Sequence, residues 1–404
     1  MAMIKPFAAL RPRPEWAGRI CELPYDVMSA EEARELASGN PLSFLHVSRA
    51  EIDLPPGTGP YLPEVYARAR ESFQHLIRSA ALRQDRTPAF YLYRQVMQEH
   101  CQVGLVAVAS CEDYLRNVIK RHELTRPDKE DDRTRHIEAL NAQTGPVFLT
   151  CRAMPAIDRI VSERVAQPPE LDFTSGDGVR HSAWSIPDAA SIHSLETQFA
   201  RLPGLHIADG HHRCAAAARV YEHRRGAGNS AFFLAVIVPH NQVQILPYNR
   251  VLKDLNGLTP EQLLRKLATI CRVTPDSAGK PTCQGELGLY LGRRWYALRF
   301  DAAQVAALDP VARLDVTLLQ QRVLAPFLGI ADPRTSQRID FVGGVRGVAE
   351  LEKLVNCGRY ACAFSLFPTS IDDLMAIAEA GDLMPPKSTW FEPKLRDGMF
   401  CHML

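Results

Sequence analysis

The sequence has almost no excess charge of either sign and no long uncharged apolar run. Its 47 basic and 46 acidic residues leave a formal net charge of +1 over 404 residues. Balanced charge gives no overall field that attracts nucleic acid or a membrane surface. No stretch approaches the ~20 apolar residues that cross a bilayer, and the first residues lack the apolar core of a signal peptide. We therefore expect a cytoplasmic protein with small-molecule partners, and neither nucleic acid nor membrane among them.

The sequence also lacks any CxxC pair, although it contains ten cysteines. Unpaired spacing of this kind suits neither a disulfide framework nor a zinc knuckle, so we expect reduced and mostly buried thiols. His122-Glu123 begins like a zincin motif, but Arg126 stands where HExxH requires its second histidine. This excludes zincin chemistry.

Apolar runs rich in Val, Phe and Tyr alternate with helical patterns along the whole chain, without repeats or low-complexity tracts. The pattern predicts a mixed α/β (α+β) class. Ser29 followed three residues later by Glu32 predicts a capping box at a helix start. The apolar spacing of three or four residues from Leu62 to Ala80 predicts one long amphipathic helix, and the almost continuously apolar run over 231–238 predicts a central strand.

At this length we expect several lobes: an N-terminal α/β lobe over residues 1–113, a core over 114–255, and a C-terminal α/β lobe with a closing arm over 256–404. The arm, residues 384–394, contains three prolines and is predicted to be irregular.

The most informative stretch joins an apolar approach, Ile207-Ala208, to Asp209-Gly210-His211-His212-Arg213 and an alanine-rich helical run. The exposed N–H groups and the dipole of a helix start favour an anion, and a glycine lets a ligand approach the backbone. We predict that Gly210, His211, His212 and Arg213 hold nucleotide phosphates. Asp209 is expected either to cap this helix or to hold a cation.

A metal shared by His211 and His212 is not expected. Adjacent helical residues point about 100° apart, and no other His/Cys group has the spacing of metal ligands. Phosphoryl transfer also needs a group to take the proton of the acceptor, and Glu123 is our candidate because a carboxylate among Arg121, His122 and Arg126 stays ionised. An exposed ion pair is the alternative for Glu123. We expect Asp209 to act in catalysis by orienting either the acceptor or a Mg²⁺ ion, because clustered phosphate charge ordinarily needs a hard cation.

The pair His122-Glu123 and the downstream Ala208-Asp209-Gly210-His211-His212-Arg213 together resemble the ParB/sulfiredoxin-like nucleotide-binding fold, most closely its free L-serine kinase branch. The resemblance implies that Glu123 acts as the base toward a serine hydroxyl and that residues 209–213 hold the nucleotide phosphates. It covers only the middle region. The implied activity is transfer of a phosphoryl group from ATP or ADP to a small amino acid, with free L-serine giving O-phospho-L-serine.

Nearly the whole chain is similar to a longer bacterial family catalogued as a domain of unknown function. The segments that carry this similarity are Pro24-Tyr25-Asp26-Val27, Asn40-Pro41, Phe44-Leu45-His46-Val47, His122-Glu123-Leu124-Thr125, Leu246-Pro247-Tyr248-Asn249-Arg250 and Pro385-Pro386-Lys387-Ser388-Thr389. We expect acceptor contacts at His122, Thr125, Asn249, Arg250 and Lys387. Asn249 and Arg250 follow an apolar strand, and strand ends often carry function. Lys387 belongs to an arm that either closes over a phosphate or is pinned against a groove without any ligand. Whether Asp26 and the rest of the Lys387 to Lys394 arm join the site stays open, as does assembly into a homo-oligomer.

Two alternatives to the kinase stay open. One is a nucleotide-binding sensor or regulatory protein of the ParB-like fold that uses the same loop without turnover. The other is sulfiredoxin-like chemistry, whose family carries a reactive cysteine beside the histidine of its phosphate loop. Here His211 occupies that place, and Cys214 follows at a helical position that we expect to be buried.

Overall fold

A computed structural model describes residues 2–404 and shows a mixed α/β protein, as the sequence predicts. The chain forms two compact units. The first contains residues up to Val243 together with residues 393–404, and the second contains Gln244–Glu392. Within the described residues, no helix has both the length and the apolar character needed to cross a membrane.

The first unit holds most of the strands and helices. Its strands before residue 244 are β1 (Ile4–Lys5), β2 (Leu10–Pro12), β3 (Leu82–Gln84), β4 (Phe90–Met97), β5 (His100–Ser110), β6 (Ile119–Lys120), β7 (Ala142–Gln143), β8 (Val147–Cys151), β9 (Leu171–Thr174), β10 (Arg180–Ile186), β11 (Leu205–Asp209) and β12 (Phe232–Pro239). Its helices are α1 (Ala17–Ile20), α2 (Ala30–Ala37), α3 (Leu45–Ser48), α4 (Pro63–Arg78), α5 (Cys111–Leu115), α6 (Pro127–Leu140), α7 (Pro155–Val165), α8 (Ala189–Phe199) and α9 (His211–Arg224).

The second unit is smaller and is built on an antiparallel sheet. Its strands are β13 (Gln244–Leu246), β14 (Tyr248–Leu252), β15 (Arg272–Pro275), β16 (Glu286–Leu291), β17 (Arg294–Arg299), β18 (Ile339–Gly343), β19 (Cys362–Ser365) and β20 (Trp390–Glu392). Its α-helices are α10 (Pro260–Leu267), α11 (Ala302–Ala306), α12 (Asp315–Leu319), α13 (Gly347–Asn356) and α14 (Ile371–Ala380). Six strands pair in the order β15-β17-β16-β19-β14-β18, and β13 pairs with β20. The chain then returns to the first unit and ends with β21 (His402–Met403).

The main sheet of the first unit positions the site. Its order is β6-β11-β8-β12-β5-β4-β10-β9, with β1 also paired to β5. The β6/β11 and β8/β12 pairs are parallel, and the other pairs in the sheet are antiparallel. The nearly continuous apolar run of β12 lies between β8 and β5 and is buried along most of its length. This confirms the expected central strand, since a strand covered on both faces needs apolar residues at every position.

Two sequence expectations differ from the structure. The expected boundary near residue 113 falls inside the main sheet, because β4 and β5 pair in one sheet with β8, β11 and β12; the one near 255 lies close to the change of unit at Val243. The arm was predicted to be irregular, but Trp390–Glu392 forms β20. Its prolines flank this strand rather than interrupt it, so every N–H within the strand remains available for pairing.

Candidate functional site

The two predicted motifs meet because β6 and β11 are parallel neighbours. Ile119 pairs with Leu205 and Lys120 with His206. Parallel strands end at the same edge of a sheet, so the loop after β6 and the turn after β11 leave the sheet side by side. The first carries His122 and Glu123, and the second carries Asp209 and the start of α9.

Gly210 forms the turn between β11 and α9. It is the N-cap residue, has φ of 99°, and no side chain caps the helix. The expectation that Asp209 caps this helix is therefore wrong: Asp209 is the last residue of β11. A Cβ atom at Gly210 would lie 3.0 Å from Nε of Arg213. The glycine thus serves a left-handed conformation and a close approach by the guanidinium. The first N–H groups of α9 face the same turn without intrahelical acceptors.

Asp209 lies between two cations. Lys394 Nζ donates to its Oδ2 at 3.0 Å, and Arg213 Nη2 lies 3.8 Å from its Oδ1. Burial opposes ionisation of Asp209, but the charges of Lys394 and Arg213 outweigh it and hold the pKa of the carboxyl well below its usual range. The Lys394 side chain is only 10% exposed. Asp209 is therefore a permanent carboxylate at neutral pH.

Lys394 is held in place by the main sheet. Its carbonyl accepts from Nε2 of Gln95 at 2.8 Å, and Gln95 in turn accepts from Nε2 of Gln102 at 2.9 Å. The structure therefore brings one end of the arm to the Asp209 turn, which the sequence left open. The only signal for it in the sequence is a lysine that follows a proline near the end of the chain.

His122, Glu123 and His211 form one cluster. Each residue offers one atom that could bind a metal, a ring nitrogen or a carboxylate oxygen, and these three atoms lie within 4.8 Å of one another. The His122 and His211 rings meet edge to face with their centroids 4.4 Å apart, and His122 N donates to His211 Nε2 at 3.4 Å. Burial lowers the pKa of His122 to about 4 and that of His211 well below its ordinary value. Both imidazoles are therefore neutral at pH 7, beside a half-buried carboxylate.

The remaining residues of the two motifs surround this cluster. His212 Nε2 accepts from the backbone N–H of Arg126 at 3.1 Å, which ties the start of α9 to the β6 loop. Thr125 Oγ1 donates to the carboxylate of Glu130 in α6. The expected burial of Cys214 is confirmed: it lies in α9 and is fully buried.

Arg213 faces a second acidic group, Asp397, that the sequence did not suggest. Both residues line a cavity of about 30 Å³ together with Tyr25 and Arg133. Asp397 is 3% exposed, and its Oδ1 has no hydrogen-bond partner. Burial raises the pKa of Asp397 to about 7. The exposed Asp26 also interacts electrostatically with Arg213 and Asp397. Asp26 therefore lies on the Arg213 side of the site.

Asn249, Arg250 and Lys387 lie in the second unit and pair with residues of that unit. Asn249 Oδ1 accepts from Leu366 N at 3.2 Å, and Arg250 Nη2 donates to the carbonyl of Lys387 at 2.9 Å. The Lys387 ammonium lies 5.5 Å from the ring centroid of Tyr248. Their role as acceptor contacts stays a prediction.

Comparison with known proteins adds a family but no activity. The family model described as "Protein of unknown function (DUF1015)" matches residues 4–317. No curated protein matches the chain in sequence.

Similar solved structures have identities of 12–14%. A conserved hypothetical protein from Pyrococcus furiosus is 14% identical with a TM-score of 0.36, over 73% of this chain and 93% of that one. A free serine kinase in complex with AMP is 14% identical with a TM-score of 0.36, over 71% and 86%. SbnI with a C-terminal truncation, from Staphylococcus aureus, is 12% identical with a TM-score of 0.40, over 72% and 85%. At these values the similarity carries no argument about function.

Proposed function

The chain belongs to the DUF1015 family of proteins of unknown function, and we propose that it is a kinase with a nucleotide-binding core of the ParB/sulfiredoxin type. It transfers the terminal phosphoryl group of ATP or ADP to the hydroxyl of a small amino acid, with L-serine as the first candidate. The observation that carries the proposal is the position of Glu123. Its carboxylate lies within 4.8 Å of a ring nitrogen of His211, at the start of the helix whose N–H groups suit a phosphate.

In this mechanism the hydroxyl oxygen of the acceptor attacks the terminal phosphorus of the nucleotide. The bond from that phosphorus to the bridging oxygen breaks, and the hydroxyl proton passes to a carboxylate oxygen of Glu123. The backbone N–H groups at the start of α9 and the guanidinium of Arg213 stabilise the charge on the phosphoryl oxygens. Nε of Arg213 is buried and has no partner, so it has a donor to give to a phosphate.

The residues present fit Mg²⁺ as well as phosphate. Asp209 is an ionised oxygen donor, and Mg²⁺ is ordinarily held by one or two carboxylates together with substrate phosphates. When bound, Mg²⁺ would be held by Asp209 and would neutralise phosphate charge. Lys394, now paired with Asp209 at 3.0 Å, would then have its ammonium directed to the phosphates.

The test is turnover with a defined base variant. The full-length protein is incubated with ATP or ADP, MgCl₂ and a panel of amino acids, and phosphorus NMR detects new phosphomonoester. Glu123→Gln should lower kcat by about 10²–10⁴ and leave nucleotide affinity nearly unchanged. Glu222→Gln, an exposed glutamate of α9, is the matched control and should keep full activity.

Two outcomes would contradict the proposal. Full turnover by Glu123→Gln would show that this carboxylate is not the base. Nucleotide binding without product from any acceptor would favour the sensor over the kinase.

A further inference from the structure

The cluster of His122, Glu123 and His211 has a donor set that phosphoryl transfer does not require. We propose that these three side chains bind a divalent transition-metal ion of the Zn²⁺ class, and that the bound ion prevents Glu123 from acting as a base. Metal binding stands on the geometry alone. The inhibitory effect rests on the proposed kinase function.

His122 has the arrangement of a metal-ligating histidine. Its ring is 2% exposed and hydrogen-bonds to the carbonyl of Ile207, while its Nδ1 is buried without any partner. Metal-ligating histidines usually donate their second ring N–H to a backbone carbonyl or carboxylate, which fixes the tautomer and aims the other nitrogen at the ion. A buried nitrogen lone pair without a partner is otherwise costly.

His211 and Glu123 complete the site from two directions. His211 is the first residue of α9 and 5% exposed, so its ring is held by the helix and by the His122 ring 4.4 Å away. Its hydrogen bond from His122 N is long, 3.4 Å, and is easily exchanged for a metal bond. Glu123 is half-buried and provides an anionic oxygen together with an opening toward solvent. In a tetrahedral zinc site the ligand atoms are about 3.3 Å apart, so these side chains have to close by about 1–1.5 Å.

The chemistry separates this site from the proposed Mg²⁺ position. Two imidazole nitrogens and one carboxylate suit Zn²⁺, Co²⁺, Fe²⁺ or Mn²⁺, whereas Mg²⁺ takes oxygen ligands. With three protein ligands, a coordination position remains open for water or substrate.

Direct binding tests the site without nucleotide or turnover. Zn²⁺ is titrated calorimetrically into the reduced, metal-free full chain, and Co²⁺ is added as a spectroscopic probe. We expect one equivalent with visible d–d bands and no thiolate charge-transfer band, because the proposed site contains no cysteine. Strong thiolate absorption, or no stoichiometric binding, would overturn the proposal.

Variants separate the site from surface binding. His122→Ala and Glu123→Gln should each weaken Zn²⁺ binding at least about tenfold, and the partly exposed Glu123 covers the case in which a buried alanine at His122 prevents folding. His223→Gln, at an exposed histidine of α9, is the matched control and should bind as the unchanged protein does. Unchanged affinity in Glu123→Gln would refute the assignment.

A turnover arm distinguishes the two proposals. If Zn²⁺ binds as expected and no phosphomonoester forms under any condition, the metal site stands and the kinase fails. If turnover is observed and stoichiometric Zn²⁺ leaves it unchanged, the inhibitory part of this inference is wrong while the kinase stands.

Discussion

Replacing Lys394 by methionine removes one ammonium from the Asp209 turn and keeps most of the side-chain stem. In the native protein, Nζ lies 3.0 Å from Asp209 Oδ2, and the lysine side chain is 10% exposed. At an effective dielectric constant of 20, two unit charges at this distance attract by about 5–6 kcal/mol. Most of this is offset by the desolvation of both groups.

The net loss in the free energy of unfolding depends on the partners and the solvent exposure that Asp209 keeps after Lys394 is replaced. Breaking a fully buried pair costs about 3–5 kcal/mol. Here the Asp209 side chain is 30% exposed and keeps Arg213 at 3.8 Å, so we expect Lys394→Met to lower the free energy of unfolding by about 2 kcal/mol. Because the folded pKa of Asp209 is depressed, this contribution is complete at pH 7. It is lost as pH falls below the ordinary aspartate pKa, about 3.9.

Urea-induced unfolding at pH 7 measures the effect, and hydrogen exchange of first-unit peptides assigns the transition to that unit. A double-mutant cycle of Lys394→Met with Asp209→Asn should give a coupling energy of about 2 kcal/mol. The control is Arg116→Met, which breaks an exposed ion pair with Glu112 and should cost less than about 1 kcal/mol. A coupling below about 0.5 kcal/mol would refute the reasoning, since direct partners couple more strongly than this.

Two further predictions concern the same turn. Gly210→Ala places a Cβ on a residue with φ of 99° and 3.0 Å from Nε of Arg213; it should cost about 1–2 kcal/mol and weaken nucleotide binding in calorimetry, and unchanged binding would contradict a phosphate role. Asp397→Asn should flatten the pH dependence of stability. Burial raises the folded pKa of Asp397 to about 7, so the native protein loses stability, by up to about 4 kcal/mol, as pH rises from about 4 to 7. Urea unfolding at several pH values measures this slope, and an unchanged slope would exclude Asp397 as its source.

Local patterns in the sequence were sufficient to predict individual helices and strands. Ser29 and Glu32 form the predicted capping box at the start of α2, because the residues that make it are three apart in the chain. The apolar spacing that predicted one long helix corresponds to α4 (Pro63–Arg78), and the apolar run that predicted a central strand corresponds to β12 (Phe232–Pro239). In each case the structural cause lies within the segment itself.

Such local patterns could not predict the contacts of the candidate site. His122 meets His211 across 89 residues, and Lys394 meets Asp209 across 185. Both contacts depend on strand order, which places β6 beside β11 and brings the end of the chain back to the first unit. The sequence argued against a metal at adjacent histidines, and the cluster found here uses one of them with a histidine from another loop. A spacing rule within one segment has no means of finding such a pair.

The charges of the turn set what kind of ligand it favours. His122 and His211 are buried and neutral, so they add hydrogen-bonding groups but no charge. Positive potential therefore comes from Lys394, Arg213 and the start of α9, and Asp209 already neutralises part of it. A phosphate that enters without a cation would have to compete with Asp209 for Lys394 and Arg213. A nucleotide that arrives with Mg²⁺ gives Asp209 a new partner and releases the two cations at the same time. Nucleotide affinity should therefore rise steeply with Mg²⁺ in the native protein and much less in Asp209→Asn, and equal Mg²⁺ dependence in the two would show that Asp209 has no part in binding the ion.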